Sequence, residues 1–391
     1  MPIVNRLADL ADEITVWRRD FHENPEILYE TVRTAEKVAE LLESFGVDEV
    51  TTGVGKTGVV GVIKGRNGGT GRTVGLRADM DALPIEEATQ KPYASKIPGK
   101  MHACGHDGHT AMLLGAAKYL SETRNFDGTV VVIFQPAEEG GAGAKAMIDD
   151  GLMTRWPIDE VYGMHNYPGM PVGEFAIRKG PIMAATDEFR ITITGKGGHA
   201  AKPHQTIDPV VVGSKMVSVL QTIASRNANP LDSVVVSVTV FNAGNAFNVI
   251  PQEALLRGTV RTLSPEMRDL AEERMNNIVR SIAEAFDARA ELEFRRGYPV
   301  TANHDDQTDF AAEIAEGIAG DGKVNRNIEP MMGGEDFSYM LEERPGAFIF
   351  AGNGDTAGLH HPEYDFNDDL IPVGCSYWVK LVETALPAKA A

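Results

Sequence analysis

Ten consecutive residues, Met101-His102-Ala103-Cys104-Gly105-His106-Asp107-Gly108-His109-Thr110, carry a thiol, three imidazoles and a carboxylate around two glycines that let the backbone turn tightly. Such a cluster is too polar for a core unless it is partnered, and a divalent metal partners several of these groups at once. The plainer alternative is a hydrogen-bonded turn. His106, two residues from Cys104 inside the glycine-bounded turn, is the best ligand candidate; His102 and His109 suit a hydrogen bond behind a ligand or a helix cap. A second concentration is Glu138-Glu139, which follows an apolar run and precedes Gly140-Gly141. Adjacent carboxylates at a buried strand end repel unless a cation neutralises one, leaving the other to hold a water; elsewhere such a pair is two solvated surface glutamates. His165 ends another apolar run, and His360 or His361 lies beside a fourth.

The elements that must position these groups can be read from periodicity. Four apolar runs lead into polar sets: Thr73 to Ala78 into Asp79-Met80-Asp81, Thr129 to Phe134 into Gln135 to Gly141, Val161 to Met164 into His165-Asn166, and Ala347 to Ala351 into the loop carrying His360-His361. Short strands separated by helical segments predict an α/β domain with its central strands covered on both faces and its ligands beyond the carboxyl ends. Ile3, Leu7, Leu10, Ile14 and Trp17 predict an opening amphipathic helix. Pro25 assigns His22 to Tyr29 to a loop, which removes His22-Glu23 from consideration as an H-E-x-x-H zinc motif. A second helix is expected from Thr34 to Phe45, and Ala111 to Leu120 reads as a buried one. Gly53-Val54-Gly55-Lys56-Thr57 lacks the first glycine of a phosphate loop and reads as a turn between strands. From Asp187 the order becomes β-α-β-β-α-β, a ferredoxin-like arrangement. Residues 184–296 are therefore expected to be a domain inserted into a core made of 1–183 and 297–391.

Composition bounds the partners. A chain of 391 residues exceeds one ordinary compact core, so two domains are expected. Lys and Arg number 37 against 56 Asp and Glu, a formal charge of -19 that would repel nucleic acid or an anionic membrane. A small molecule is the expected partner. Cys104 and Cys375 are the sole cysteines and no C-x-x-C occurs, which suits a reducing cytoplasm better than a disulfide framework. Six charges between Arg6 and Arg19 rule against a signal peptide or a membrane span there. A serine hydrolase finds no support, because G-x-S-x-G does not occur.

Five stretches, Leu76-Arg77-Ala78-Asp79-Met80-Asp81-Ala82-Leu83-Pro84, His102-Ala103-Cys104-Gly105-His106-Asp107, Gln135-Pro136-Ala137-Glu138-Glu139-Gly140-Gly141, Gly333-Gly334-Glu335-Asp336-Phe337 and His360-His361-Pro362-Glu363-Tyr364-Asp365-Phe366, resemble in order the motifs of the M20 metallopeptidase family. The similarity is to its aminoacylase and hippurate hydrolase branch, which also includes auxin-conjugate hydrolases, and it spans nearly the whole chain.

The resemblance implies a mixed-sheet catalytic domain with a dinuclear metal site and an inserted lid and dimerisation domain. It implies Cys104, His106, Glu139, His165 and His360 as ligands of two divalent ions, Zn²⁺, Mn²⁺, Co²⁺ or Ni²⁺. Glu138 would be the general base, and Asp81 would orient a ligand rather than bind metal. Other branches carry a histidine where this chain has Asp79, which leaves the parts played by Asp79 and Asp81 open. His199 would donate to the developing oxyanion, often from a partner subunit, Asn248 would contact substrate, and Gly333-Gly334 would let backbone approach it. The expected activity is hydrolysis of N-acyl amino acids by a homodimer or larger homo-oligomer. A dipeptidase of the same fold is the alternative, and a non-catalytic metal- or ligand-binding protein a more distant one.

Overall fold

A computed structural model describes residues 3–388, which divide into two compact units. One comprises the chain up to Ile182, Ala302–Glu329 and the part from Asp336 onward; the other comprises Met183–Thr301 and Pro330–Glu335. The chain opens with α1 (Asn5–Glu23), which buries Leu7, Leu10, Ile14, Trp17 and Phe21 along one face as their spacing requires. It runs past the expected loop start: His22 and Glu23 lie in its last turn, and the Asn24 N–H closes onto the Phe21 carbonyl at 3.1 Å. His22 stays helical because its ring extends the same buried stripe four residues beyond Arg18. α2 (Val32–Ser44) follows, and β1 (Glu49–Val54) and β2 (Gly58–Lys64) pair antiparallel across the glycine-rich turn. Next come β3 (Thr73–Asp79), α3 (His106–Thr123), β4 (Thr129–Gln135) and β5 (Glu160–Pro168).

The second unit contributes β6 (Ala185–Thr194), α4 (Pro209–Leu220), β7 (Val234–Ala243), β8 (Glu253–Thr262), α5 (Pro265–Ala285) and β9 (Arg289–Arg296). Its strands lie in the order β7-β8-β6-β9, every neighbouring pair antiparallel, which is the ferredoxin-like arrangement. Both helices start on a proline preceded by a capping side chain, Asp208 accepting from the Val210 N–H and Ser264 from the Met267 N–H. Along β6 burial alternates, so Phe189, Ile191 and Ile193 meet Met216 and Leu220 of α4 and Met275 and Val279 of α5 in one core. Pro330–Glu335, read from the sequence as core, clusters with this unit because the Ala184 N–H is shared between the carbonyls of Met331 (3.0 Å) and Gly333 (2.9 Å).

The first unit resumes with α6 (Asp305–Ala319), β10 (Gly346–Gly354) and α7 (Ile371–Ala385). Its sheet runs β1-β2-β4-β3-β5-β10, continued by the two-residue strands Phe175–Ala176 and Val324–Asn325. β4, β3, β5 and β10 are successive parallel neighbours, so the four polar sets foreseen at their carboxyl ends open on one edge. β3 is buried along its whole length, as expected of a central strand covered on both faces. α3 packs against α1 and α7. Among the described residues no helix is long and apolar enough to cross a membrane.

Inside the second unit the fully buried Asp187 carboxylate takes hydrogen bonds from the Arg268 Nε (3.0 Å) and from the Gly297 N–H (3.1 Å). Removing the guanidinium strands a buried charge, so Arg268→Met should cost about 3–5 kcal/mol, read as a lower urea midpoint for the full chain.

Candidate metal centre

The site is assembled from the strand ends outward. Just past β3, the Asp81 carboxylate accepts from the main-chain N–H groups of Glu138 (2.8 Å) and Glu139 (3.1 Å), pinning the turn beyond β4. That turn needs Ala137 at φ 56°, and it needs Gly143, where a Cβ would lie 1.6 Å from the Pro136 carbonyl oxygen. The Asp81 carbonyl accepts from His106 Nδ1 at 2.8 Å. The His165 Nδ1 donates to the Asn166 carbonyl, also at 2.8 Å. In the neutral ring each of these contacts puts the proton on Nδ1 and leaves Nε2 with a lone pair. His165 Nε2 lies 3.4 Å from Cys104 Sγ, and His106 Nε2 is buried with no hydrogen-bond partner among the described residues. Close to Cys104, His360 is seated by its own N–H on the Ala103 carbonyl (2.7 Å), in a left-handed conformation at φ 63°. Its Nε2 stands 3.2 Å from Glu139 Oε1.

Donor atoms therefore gather in two overlapping sets that share the thiol. Those of Cys104, His106 and His165 lie within 4.8 Å of one another, and so do those of Cys104, Glu139 and His360. Glu138 joins His106 and Glu139 within the same limit. Lone pairs of sulfur, imidazole and carboxylate converging where an orphaned ring nitrogen is buried fit a pair of borderline divalent cations.

Electrostatics agree with that fit. Burial, reinforced by the Glu139 charge, pushes the Cys104 thiol well above its ordinary range. Burial, helped by His109, pulls His165 well below its own. At His106 burial acts downward, yet Asp79 and the Cys104 sulfur outweigh it and hold the ring well above the usual histidine value. Glu139 sits low despite burial because His360 donates to it, and that same contact raises His360. The raised Cys104 thiol and His106 ring are groups that ligate a metal only once deprotonated.

The structure brings Cys104, His106, Glu138, Glu139, His165 and His360 to one place, with Asp81 directly behind them. His199, Asn248, Gly333 and Gly334 lie in the second unit. There the Gly198–His199 and Val249–Ile250 strands pair, and the Ala200 N–H donates to the Asn248 carbonyl (3.1 Å). Both side chains are exposed, and the Ala201 N–H donates to His199 Nδ1 (3.1 Å), so the neutral ring carries its proton on Nε2 as an outward donor. Gly334 has a local reason for lacking a side chain, since a Cβ would stand 2.1 Å from Thr186 Cγ2.

Several residues escaped the sequence reading. Arg18 is fully buried against Asp107 (2.9 Å) and Asp365 (3.3 Å), and His22 Nδ1 lies 2.8 Å from Asp107 Oδ2, tying α1 to the first turn of α3. Arg18 stands four residues after Ile14 on the apolar face, a charge out of place that could have been noticed. Arg77, inside an apolar strand, is a second such signal; it donates to Gln135 (2.8 Å), Asp79 (2.7 Å) and Asp336 (3.0 Å).

Comparison with known proteins shows the family. The model of peptidase family M20/M25/M40 matches residues 75–384. The chain belongs to that family. Hippurate hydrolase of Campylobacter jejuni is 44% identical over 381 residues, 97% of this chain and 98% of that protein. N-acetylcysteine deacetylase of Bacillus subtilis is 40% identical over 370 residues, 94% and 96% of the two. A Bacillus subtilis protein solved as a dinuclear metal binding peptidase from the M20 family superposes with a TM-score of 0.85 at 37% identity, covering 97% of this chain and 99% of the other. Within the M20 fold, two divalent metals fit the donor sets described above.

Two outcomes follow. Gly105 has φ 91°, and a Cβ there would meet Asn166 Nδ2 at 2.2 Å and the Tyr364 hydroxyl at 2.6 Å. Gly105→Ala should therefore cost about 1–3 kcal/mol by overpacking, measured as a lower denaturant midpoint. At His22 burial lowers the pKa, but Asp107 and Glu87 outweigh it and the net shift is upward. The stabilisation this gives is complete below about pH 6.5, the unfolded value, and is lost as pH rises through the folded one. Denaturant midpoints should fall across that alkaline window, and His22→Gln should flatten that part of the profile.

Proposed function

We propose that this chain is a metal-dependent amidohydrolase that cleaves N-acyl amino acids to a carboxylate and a free amino acid. The observation that carries the reading is Glu138: a buried second carboxylate beside the donor sets, its Oε1 accepting from the Asp336 N–H at 3.4 Å and its own N–H held by Asp81. The naming of relatives as hippurate hydrolase and N-acetylcysteine deacetylase supports the substrate class.

In this reading Cys104, His106, Glu139, His165 and His360 hold two divalent ions, for which the ligand chemistry admits Zn²⁺, Mn²⁺, Co²⁺ or Ni²⁺. When bound, the metals supply Lewis acidity that polarises the scissile carbonyl and acidifies water. Glu138 takes the proton of the attacking water and returns it to the leaving nitrogen. Asp81 holds Glu138 and Glu139 by their backbone, and His199, of the same chain or of a partner copy, offers its Nε2–H to the developing oxyanion. Asn248, in the turn just before the Val249–Ile250 strand, contacts substrate, and Gly333-Gly334 line its approach. The inserted unit acts as lid and dimerisation domain, with exposed Phe241, Phe247 and Val249 supporting a contact between copies in a homodimer or larger homo-oligomer. A reducing cytoplasm suits a thiol kept as a donor; both cysteines are free and buried.

Hippurate and acetyl amino acids should be hydrolysed, a chelator should abolish turnover, and a dipeptide with a free amine should be the poorer substrate. Glu138→Gln should lower kcat by about 100- to 10,000-fold with metal content by mass spectrometry unchanged. Wild-type kcat in that variant would remove Glu138 from the mechanism.

A further inference from the structure

We propose that Asp79 and His109 form a positioning couple that sets how β5 presents His165, and that they are not a further place for a cation. The inference rests on the assignment of Cys104 and His165 as ligands. Donor atoms of Asp79, His106 and His109 do lie within 4.8 Å of one another, a spacing that would admit an ion. Hydrogen-bond accounting decides otherwise. Asp79 Oδ2 accepts from Arg77 (2.7 Å), and Asp79 Oδ1 lies 2.7 Å from His109 Nδ1. The main-chain N–H of Asn166 donates to His109 Nε2 at 3.0 Å, which makes that nitrogen the acceptor and puts the ring proton on Nδ1, facing Asp79. Both ring nitrogens are therefore committed, Nδ1 to Asp79 and Nε2 to the Asn166 N–H.

What His109 anchors is the residue next to a ligand. Asn166 accepts from His165 Nδ1 through its carbonyl (2.8 Å), donates through Nδ2 to the Cys104 carbonyl (2.6 Å), and accepts at Oδ1 from the Tyr364 hydroxyl (2.7 Å). The His109 ring also packs edge-on against His165, centroids 4.5 Å apart at 66°. One acceptor atom, His109 Nε2, thus fixes a residue that touches both Cys104 and His165. Arg77 and Asp79 in turn fix the tautomer that makes Nε2 an acceptor.

The test is Co²⁺ titration of the full-length, metal-stripped chain, followed by thiolate-to-cobalt absorption, with circular dichroism on every variant. His109→Gln places an amide oxygen near the position of Nε2 and should keep affinity and spectrum close to wild type. His109→Asn keeps a donor toward Asp79 but withdraws the acceptor, and should weaken binding about 10- to 100-fold. Tyr364→Phe, which removes a single donor on Asn166, should shift affinity in the same direction and serves if a His109 variant does not fold. Wild-type affinity in His109→Asn or in Tyr364→Phe, or equal losses in the Gln and Asn variants, would overturn the couple. A wild-type chain that takes up no Co²⁺ would overturn the ligand assignment itself, a result separable from the others.

Discussion

Asp81 is the pivot of the centre. Its carboxylate accepts the backbone of Glu138 and Glu139, while its carbonyl accepts Nδ1 of His106. Three site residues from two elements are thereby referred to one buried residue just beyond β3. The parallel neighbours β4, β3, β5 and β10 make this possible, because their carboxyl ends share one edge on which these side chains meet. Burial raises the Asp81 pKa, while His106 and the Glu138 N–H work against that by favouring its charged form.

The ligating atoms are prepared by what lies behind them. Backbone carbonyls hold His106 and His165 with Nε2 outward, and Asn166 bridges Cys104, His109 and Tyr364. Polar atoms crowded this closely would be costly in a dry interior without a cation to accept their lone pairs. Arg18 plays a related part at longer range. It is buried among Asp107, Asp365 and Asp368, so it fastens the helix carrying His106 to the loop that carries His360.

Much of this was legible before any coordinates. The apolar runs ending in Asp79, Gln135, His165 and the His360 loop announced central strands covered on both faces, and the Cys104–His109 turn announced a helix start. The inserted β-α-β-β-α-β order stood out as a change of pattern from Asp187 onward. What sequence could not supply was pairing across distance. Nothing local shows that Asp107 is met by Arg18, or that Asp79 is held by both Arg77 and His109. Loop conformation was equally hidden: Pro25 suggested that the helix stops before His22, whereas packing against Asp107 carries it on to Glu23. The segment 330–335 strayed for the same reason, its partner being the main chain of Ala184.

The central claim is that thiol, imidazole and carboxylate groups from separate strand ends close on two cations. Anomalous diffraction at the zinc edge, from crystals grown with Zn²⁺, tests it most directly. The account predicts two peaks, each about 2.0–2.3 Å from donors drawn from Cys104, His106, Glu139, His165 and His360. A single peak, or peaks that touch neither Cys104 nor His165, would contradict it.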